Sequence, residues 1–203
     1  IFDRAAKEIG DVPIVVANDG DVSALAGSMS LGTGCVMGLA MGTSEAVGYV
    51  NAGSSLLGWF SELAFAPVDL NERAMRDEWS GDRGVGCKYF SQDAVAKLAP
   101  AAGIALSERL TPAEKLKEVQ KLAEQGLPYA QEIFRSIGVY LGHTLCLYER
   151  LYDIRSLIVL GRVASGVGGE LIVAECRRVL EEEYPELAQK LCVSVSSPPY
   201  LAA

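Results

Sequence analysis

Apolar residues along the chain fall into two patterns. Short continuous runs rich in β-branched side chains, Val12 to Ala17 and Leu157 to Leu160, predict strands buried on both faces. Two further strand-like runs, Cys35 to Met41 and Ala46 to Asn51, flank the turn Gly42-Thr43-Ser44-Glu45, and Leu191 to Val195 is a candidate last strand. Elsewhere apolar positions recur at three- and four-residue steps. Ala130, Ile133, Ile137, Tyr140 and Leu141, Thr144 and Leu145, Tyr148 and Leu151 make one wide stripe, which predicts a long helix restarted by Pro128. Thr111 as N-cap, Pro112 at the first helical position and Glu114 as a capping-box partner open another helix, which runs to the neighbourhood of Glu124 and is closed by Gly126. Shorter helical stretches are Ile1 to Gly10, Val22 to Ala26 and Glu170 to Glu183, while Pro67 to Gly86 reads as a polar, irregular middle.

Composition narrows the class. The 203 residues, 50% hydrophobic and 22% charged, suit one globular domain or one large lobe. With 18 Lys and Arg against 26 Asp and Glu, the net charge of −8 provides no basic field for a phosphate backbone, which argues against direct nucleic-acid binding. No apolar run approaches the roughly 20 residues of a membrane span, and the first ten residues lack the basic, apolar and cleavage regions of an export signal. Five scattered cysteines, an odd number, read as buried free thiols in a reducing compartment. A cytoplasmic protein without a membrane partner is expected.

Three stretches could carry chemistry. Asn18-Asp19-Gly20-Asp21 follows a predicted strand, where α/β proteins place functional groups, although the same tetrapeptide is also a good turn. The small residues at Gly42-Thr43-Ser44 can aim backbone N–H groups at a phosphate, or simply close a hairpin. Gly161 and the loop Ala164 to Gly169 permit a ligand to approach a helix start, or serve as core lining. His143, the sole histidine, is read as a helix residue packed against its neighbours.

These landmarks, in this order, resemble the carboxyl-terminal lobe of the ROK family (repressors, open reading frames and sugar kinases), part of the actin, hexokinase and heat-shock ATPase superfamily. The resemblance spans nearly all of the chain and rests on five separated motifs. Val-Pro-Ile-Val-Val-Ala-Asn18-Asp19 resembles the family strand ending in Asn-Asp. Gly42-Thr43-Ser44 sits where the family has the phosphate loop Gly-Thr-Gly-x-Gly, and Asn51-Ala52-Gly53 resembles the turn that follows it. Gly58-Trp59-Phe60-Ser61-Glu62-Leu63-Ala64-Phe65 is similar to Gly-Glu-x-Gly-His, with Glu62 kept and Phe65 in place of His. Gly84-Val85-Gly86-Cys87-Lys88-Tyr89-Phe90-Ser91 resembles the stretch after the family zinc motif, and Gly161-Arg162-Val163-Ala164-Ser165 resembles the adenosine loop.

The resemblance implies an α/β, ribonuclease H-like lobe with a mixed central sheet flanked by helices, occupying residues 1–203. The superfamily's other phosphate loop, of Asp-x-Gly-Gly-Thr type, does not occur in the sequence, so the amino-terminal lobe is expected to lie outside it. It further implies a sugar kinase using ATP and Mg²⁺, with a small-molecule sugar and a nucleotide as partners, and leaves a homodimer open. Asp19 takes the role of general base, Asn18 and Glu62 contact the sugar, and Gly42, Thr43, Ser44, Gly161 and Ser165 surround the nucleotide. Three departures mark this chain. Glu45 would bring a carboxylate close to the phosphates, the Phe65 ring could stack on a sugar but not accept its hydroxyl proton, and only Cys87 of the zinc ligands is kept, so no zinc is expected. Some family members sense a sugar and regulate transcription without catalysis, and the altered motifs suit that alternative, or a degenerate ATPase-fold protein.

Overall fold

The computed structural model describes residues 1–14, 16–57 and 61–196. Four strands, β1 (Val36–Met41), β2 (Glu45–Val50), β3 (Ser156–Leu160) and β4 (Cys192–Val195), form one mixed sheet in the order β2-β1-β3-β4. β1 and β2 are an antiparallel hairpin with Met41 opposite Glu45, whereas β3 lies parallel to both β1 and β4.

Side-chain alternation, with a period of two, assigns the two faces. Met37, Leu39 and Met41, with their cross-strand partners Tyr49, Val47 and Glu45, point to one side, and the apolar members of this set belong to the main core. That side is covered by α5 (Pro128–Tyr148), which contributes Ile133, Ile137, Leu141, Leu145 and Tyr148, and by α6 (Gly166–Glu183). The opposite side, with Val36, Gly38 and Gly48, meets α2 (Asp19–Leu31), whose backbone at Ala24 would block any Cβ at Gly38. Around this frame stand α1 (Phe2–Glu8), α3 (Gln92–Ala101), α4 (Pro112–Glu124) and the short α7 (Pro185–Lys190). Among the described residues no helix is long and apolar enough to cross a membrane.

The expected capping box is present, with Thr111 Oγ1 accepting from Glu114 N at 3.3 Å and Glu114 Oε2 accepting from Thr111 N at 2.8 Å. Other expectations need correction. The described residues of Val12 to Ala17 form no strand, and Val12, Ile14 and Val16 are exposed. Apolar β-branched side chains do not make a strand without a neighbour to complete the ladder, and neither sheet edge, β2 or β4, pairs with the described residues of this run. The helix after it starts at Asp19 rather than beyond Asp21, and α6 starts four residues before Glu170. Leu151 falls past the end of α5 and is exposed. α3 was not expected, though Ser91, accepting from Asp93 N at 3.2 Å, is an ordinary N-cap. All five cysteines are free, and Cys192 is exposed rather than buried.

Candidate functional site

Close backbone packing builds the site. Asn18 is the extended N-cap of α2, and its side chain accepts from Gly20 N at 2.9 Å. Asp19 Oδ1 accepts from the same N–H, also at 2.9 Å. A Cβ at Gly20 would run into the Val47 carbonyl and one at Gly48 into the Gly20 carbonyl, so the first turn of α2 lies backbone to backbone on β2. Glycine at both positions is what brings Asn18 and Asp19 beside the hairpin turn.

The turn itself is anchored on its far side. Gly42 N donates to Ser44 O at 3.0 Å, and Gly42 O accepts from Gln92 N at 2.9 Å at the start of α3. The loop after β3 is laid against the same point. Val163 N donates to Met41 O at 3.0 Å, and Gly161, at φ 94°, takes a backbone conformation and a closeness to Met41 that a side chain would oppose.

These contacts enclose a cavity of about 390 Å³. Asn18, Asp19, Gly42, Thr43, Ser44, Glu62 and Gly161 all line it, although they come from four separate stretches of sequence. Ser165 does not. It is the N-cap of α6, and its hydroxyl donates to Arg162 O at 2.8 Å while accepting from Gln120 Nε2 at 3.1 Å. Ser61 lines the cavity too. Nothing in the sequence marks it, because a lone serine beside Glu62 carries no pattern of its own. Gly58, Trp59 and Phe60, which begin the same motif, lie outside the described residues.

Glu45 does border the cavity, as expected, but most of its side chain is buried. Its register opposite Met41 turns the side chain into the core, where Oε1 lies 3.3 Å from Tyr148 Oη and Oε2 has no hydrogen-bond partner. Burial pushes its pKa up to about 8, against a smaller lowering by Tyr148, so near neutral pH the group beside the cavity is mostly the uncharged acid. Phe65 also leaves the cavity. Its ring centroid is 5.3 Å from that of Trp79, and it packs against Ala64, Val85 and Cys87. Burial pushes the Cys87 thiol up to about 11. Beside it the Lys88 ammonium is held by Glu78 at 2.6 Å, Asp93 at 2.7 Å and Asp77 at 3.6 Å. His143 is exposed and its Nδ1 lies 3.0 Å from Tyr184 Oη.

By sequence, no family model and no curated protein matches the chain. By structure, 97% of it superposes on 64% of a ROK hexokinase from Thermus thermophilus, with TM-score 0.71 and 18% identity. The fold is that of the ROK proteins. A ROK glucokinase from Streptomyces griseus, solved with glucose and AMPPNP, matches 95% of the chain over 65% of its own length, with TM-score 0.71 and 22% identity. A ROK transcriptional regulator, a homologue of the E. coli MLC protein, matches 98% over 52% of its length, with TM-score 0.76 and 17% identity. The chain thus spans about half to two-thirds of these solved proteins. Catalytic and regulatory proteins share the ROK fold, so the fold alone does not decide between them.

Proposed function

We propose that the chain is the carboxyl-terminal lobe of a cytoplasmic ROK-type carbohydrate kinase, which transfers the γ-phosphate of ATP to a sugar hydroxyl. The observation that carries this reading is the convergence of Asn18 and Asp19, the Gly42-Thr43-Ser44 turn, Glu62 and Gly161 on one cavity.

The lining fits a nucleotide. Two hydroxyls stand at the turn, Gly161 places no side chain at the neighbouring loop, and Glu45, which also borders the cavity, is almost wholly buried, with burial favouring its uncharged form. Mg²⁺ in such sites usually combines one or two carboxylates with phosphate oxygens and water rather than a preformed protein cage. When bound, ATP–Mg²⁺ supplies the phosphoryl group and neutralises the charge that develops on it.

The roles of the chain's own groups follow from what each has left to offer. Asp19 Oδ1 is occupied by Gly20 N, which leaves Oδ2 to take the proton of the attacking hydroxyl. The Asn18 carbonyl is occupied in the same way, so its NH₂ group is the part that can donate to a sugar oxygen. Glu62 accepts from sugar hydroxyls, Thr43 and Ser44 donate to phosphate oxygens, and the loop from Gly161 to Ser165 borders the purine. A second reading, a sugar-sensing regulator that does not catalyse, is favoured by the likeness to the MLC homologue and by the withdrawal of Phe65 from the cavity.

The test uses the intact protein with Mg²⁺–ATP and a panel of hexoses and amino sugars. The kinase reading expects transfer by the wild type and a loss of about a hundredfold or more in Asp19→Asn, in line with removal of a general base. Because Asp19 is exposed, that variant keeps its stability within about 0.5 kcal/mol. Sugar binding by the wild type with no transfer at all selects the regulator instead.

A further inference from the structure

Tyr148 Oη lies between two acceptors. It is 3.3 Å from Glu45 Oε1 and 3.4 Å from the carbonyl of Leu63, the residue after Glu62. A phenol has a single proton to donate. If Glu45 is the neutral acid, its own O–H donates to Tyr148 and Tyr148 donates onward to Leu63, so that every proton finds an acceptor. If Glu45 is ionised, Tyr148 must turn its proton to the carboxylate, and the Leu63 carbonyl keeps only the N–H of Ala66 at 2.9 Å.

The surroundings make this choice consequential. Glu45 immediately follows Ser44 of the turn, so the chain of groups runs from one wall of the cavity to the segment bearing Glu62 on another. Oε2 is buried without a partner, against the Cα of Gly86, where any Cβ would collide with it. Among the described residues no cation lies within ion-pair distance of Glu45. An ionised form is therefore stabilised by little other than Tyr148.

We propose that Glu45 is a proton-dependent positioning residue, which as a neutral acid holds the Glu62–Ala66 segment near the hairpin turn through Tyr148 and on losing its proton loosens that segment. What the segment does for a substrate rests on the kinase reading, whereas the proton relay itself does not.

The titratable groups facing Glu45 are Tyr148 from α5 and Cys87 from the 3₁₀ turn Gly86–Lys88. Burial raises the pKa of both, to about 11 for Cys87 and well above the ordinary tyrosine value for Tyr148. With Glu45 at about 8, it is the first of the three to lose a proton as pH rises. Lys88 and Asp77 stand beyond Cys87, paired with each other at 3.6 Å.

The test is amide hydrogen exchange on the intact protein at pH 6.5 and 9, corrected for the intrinsic rate, for the wild type, Glu45→Gln and Tyr148→Phe. In the wild type, protection of residues 62–66 is expected to fall by about three- to tenfold between the two pH values, as for loss of one hydrogen bond, with a midpoint near that of Glu45. Glu45→Gln, whose amide can donate to Tyr148 at either pH, removes the step. Tyr148→Phe removes it as well and leaves the segment loose throughout. Infrared spectroscopy of the wild type gives a check that needs no variant: a buried carboxylic-acid C=O band present at pH 6.5 and gone at pH 9. A step that survives in Glu45→Gln, or absence of the acid band, overturns the proposal. If the step and band are present but the protein binds neither Mg²⁺–ATP nor sugar at any pH, the kinase reading fails and the relay stands.

Discussion

Glu45 and Lys88 are both buried ionisable side chains, and their surroundings solve the same problem in opposite ways. Lys88 is met by three carboxylates, so although burial alone would lower its pKa, the hydrogen bonds to Asp93 and Glu78 hold it above the ordinary lysine range. Asp77 in turn is lowered, first by the Ser80 backbone N–H and then by Lys88 among other groups. Glu45 has no such company and stays uncharged by keeping its proton. Burial alone therefore does not set the sign of a charge's contribution. A partnered cation ties the Asp77–Glu78 loop to α3, while an unpartnered acid makes the structure sensitive to pH where most proteins are not.

The largest expected effect follows from the sign of the Glu45 shift. An acid whose folded pKa is raised from 4.5 to about 8 gives stability that is fully present below 4.5 and is lost as pH rises to about 8. The full span is of order 3 kcal/mol once relaxation of the site is allowed for. Urea midpoints at pH 5 and 8.5 should draw apart in the wild type by much more than in Glu45→Gln, and equal pH dependence in the two would break the contrast.

Lys88 is expected to show a different profile. Its raised pKa leaves its contribution complete through neutral pH, to be lost only as pH rises beyond the ordinary lysine value of 10.5, and the lowered pKa values of Glu78 and Asp77 start the acid-side loss only as pH falls below their ordinary values of 4.5 and 3.8. Lys88→Met should cost about 2 kcal/mol at neutral pH, less than for a fully buried pair because Glu78 is largely exposed. Chemical denaturation at pH 7 measures this, and the wild-type change between pH 5 and 8.5 should persist in the variant. Asp69 makes the smallest case. Despite desolvation its pKa is lowered by the Asn71 N–H and by the hydroxyls of Tyr89, at 2.7 Å, and Tyr140, at 3.5 Å. Tyr89→Phe removes one of these donors, and a loss of about 1 kcal/mol in the same denaturation experiment is expected.

Much of this architecture was legible in the sequence where local signals agree with tertiary demand. The hairpin around Gly42, the strand at Leu157 and the capping box at Thr111 each carry their own instructions. Val12 to Ala17 does not, because a strand is a property of two segments and the sequence displays only one. The cavity's residues were recognisable as separate motifs, but what brings Asn18 and Asp19 to the hairpin is the meeting of Gly20 and Gly48, and what brings Gly161 there is its closeness to Met41, neither of which a spacing rule reveals. The burial of Glu45 was missed for a simpler reason. Counting by two from Tyr49 through Val47 places it on the core face, and the proximity of Glu45 to the turn in sequence obscured that alternation.

On the kinase reading proposed above, the cavity beside Asp19 holds a nucleotide and a sugar for phosphoryl transfer. The most direct test of that reading is calorimetric titration of the intact protein with a non-hydrolysable ATP analogue, with and without Mg²⁺, while amide exchange is followed at residues 42–46 and 161–165. The account predicts Mg²⁺-dependent binding that protects both segments together. Binding that leaves them unchanged, or no binding under either condition, would contradict it.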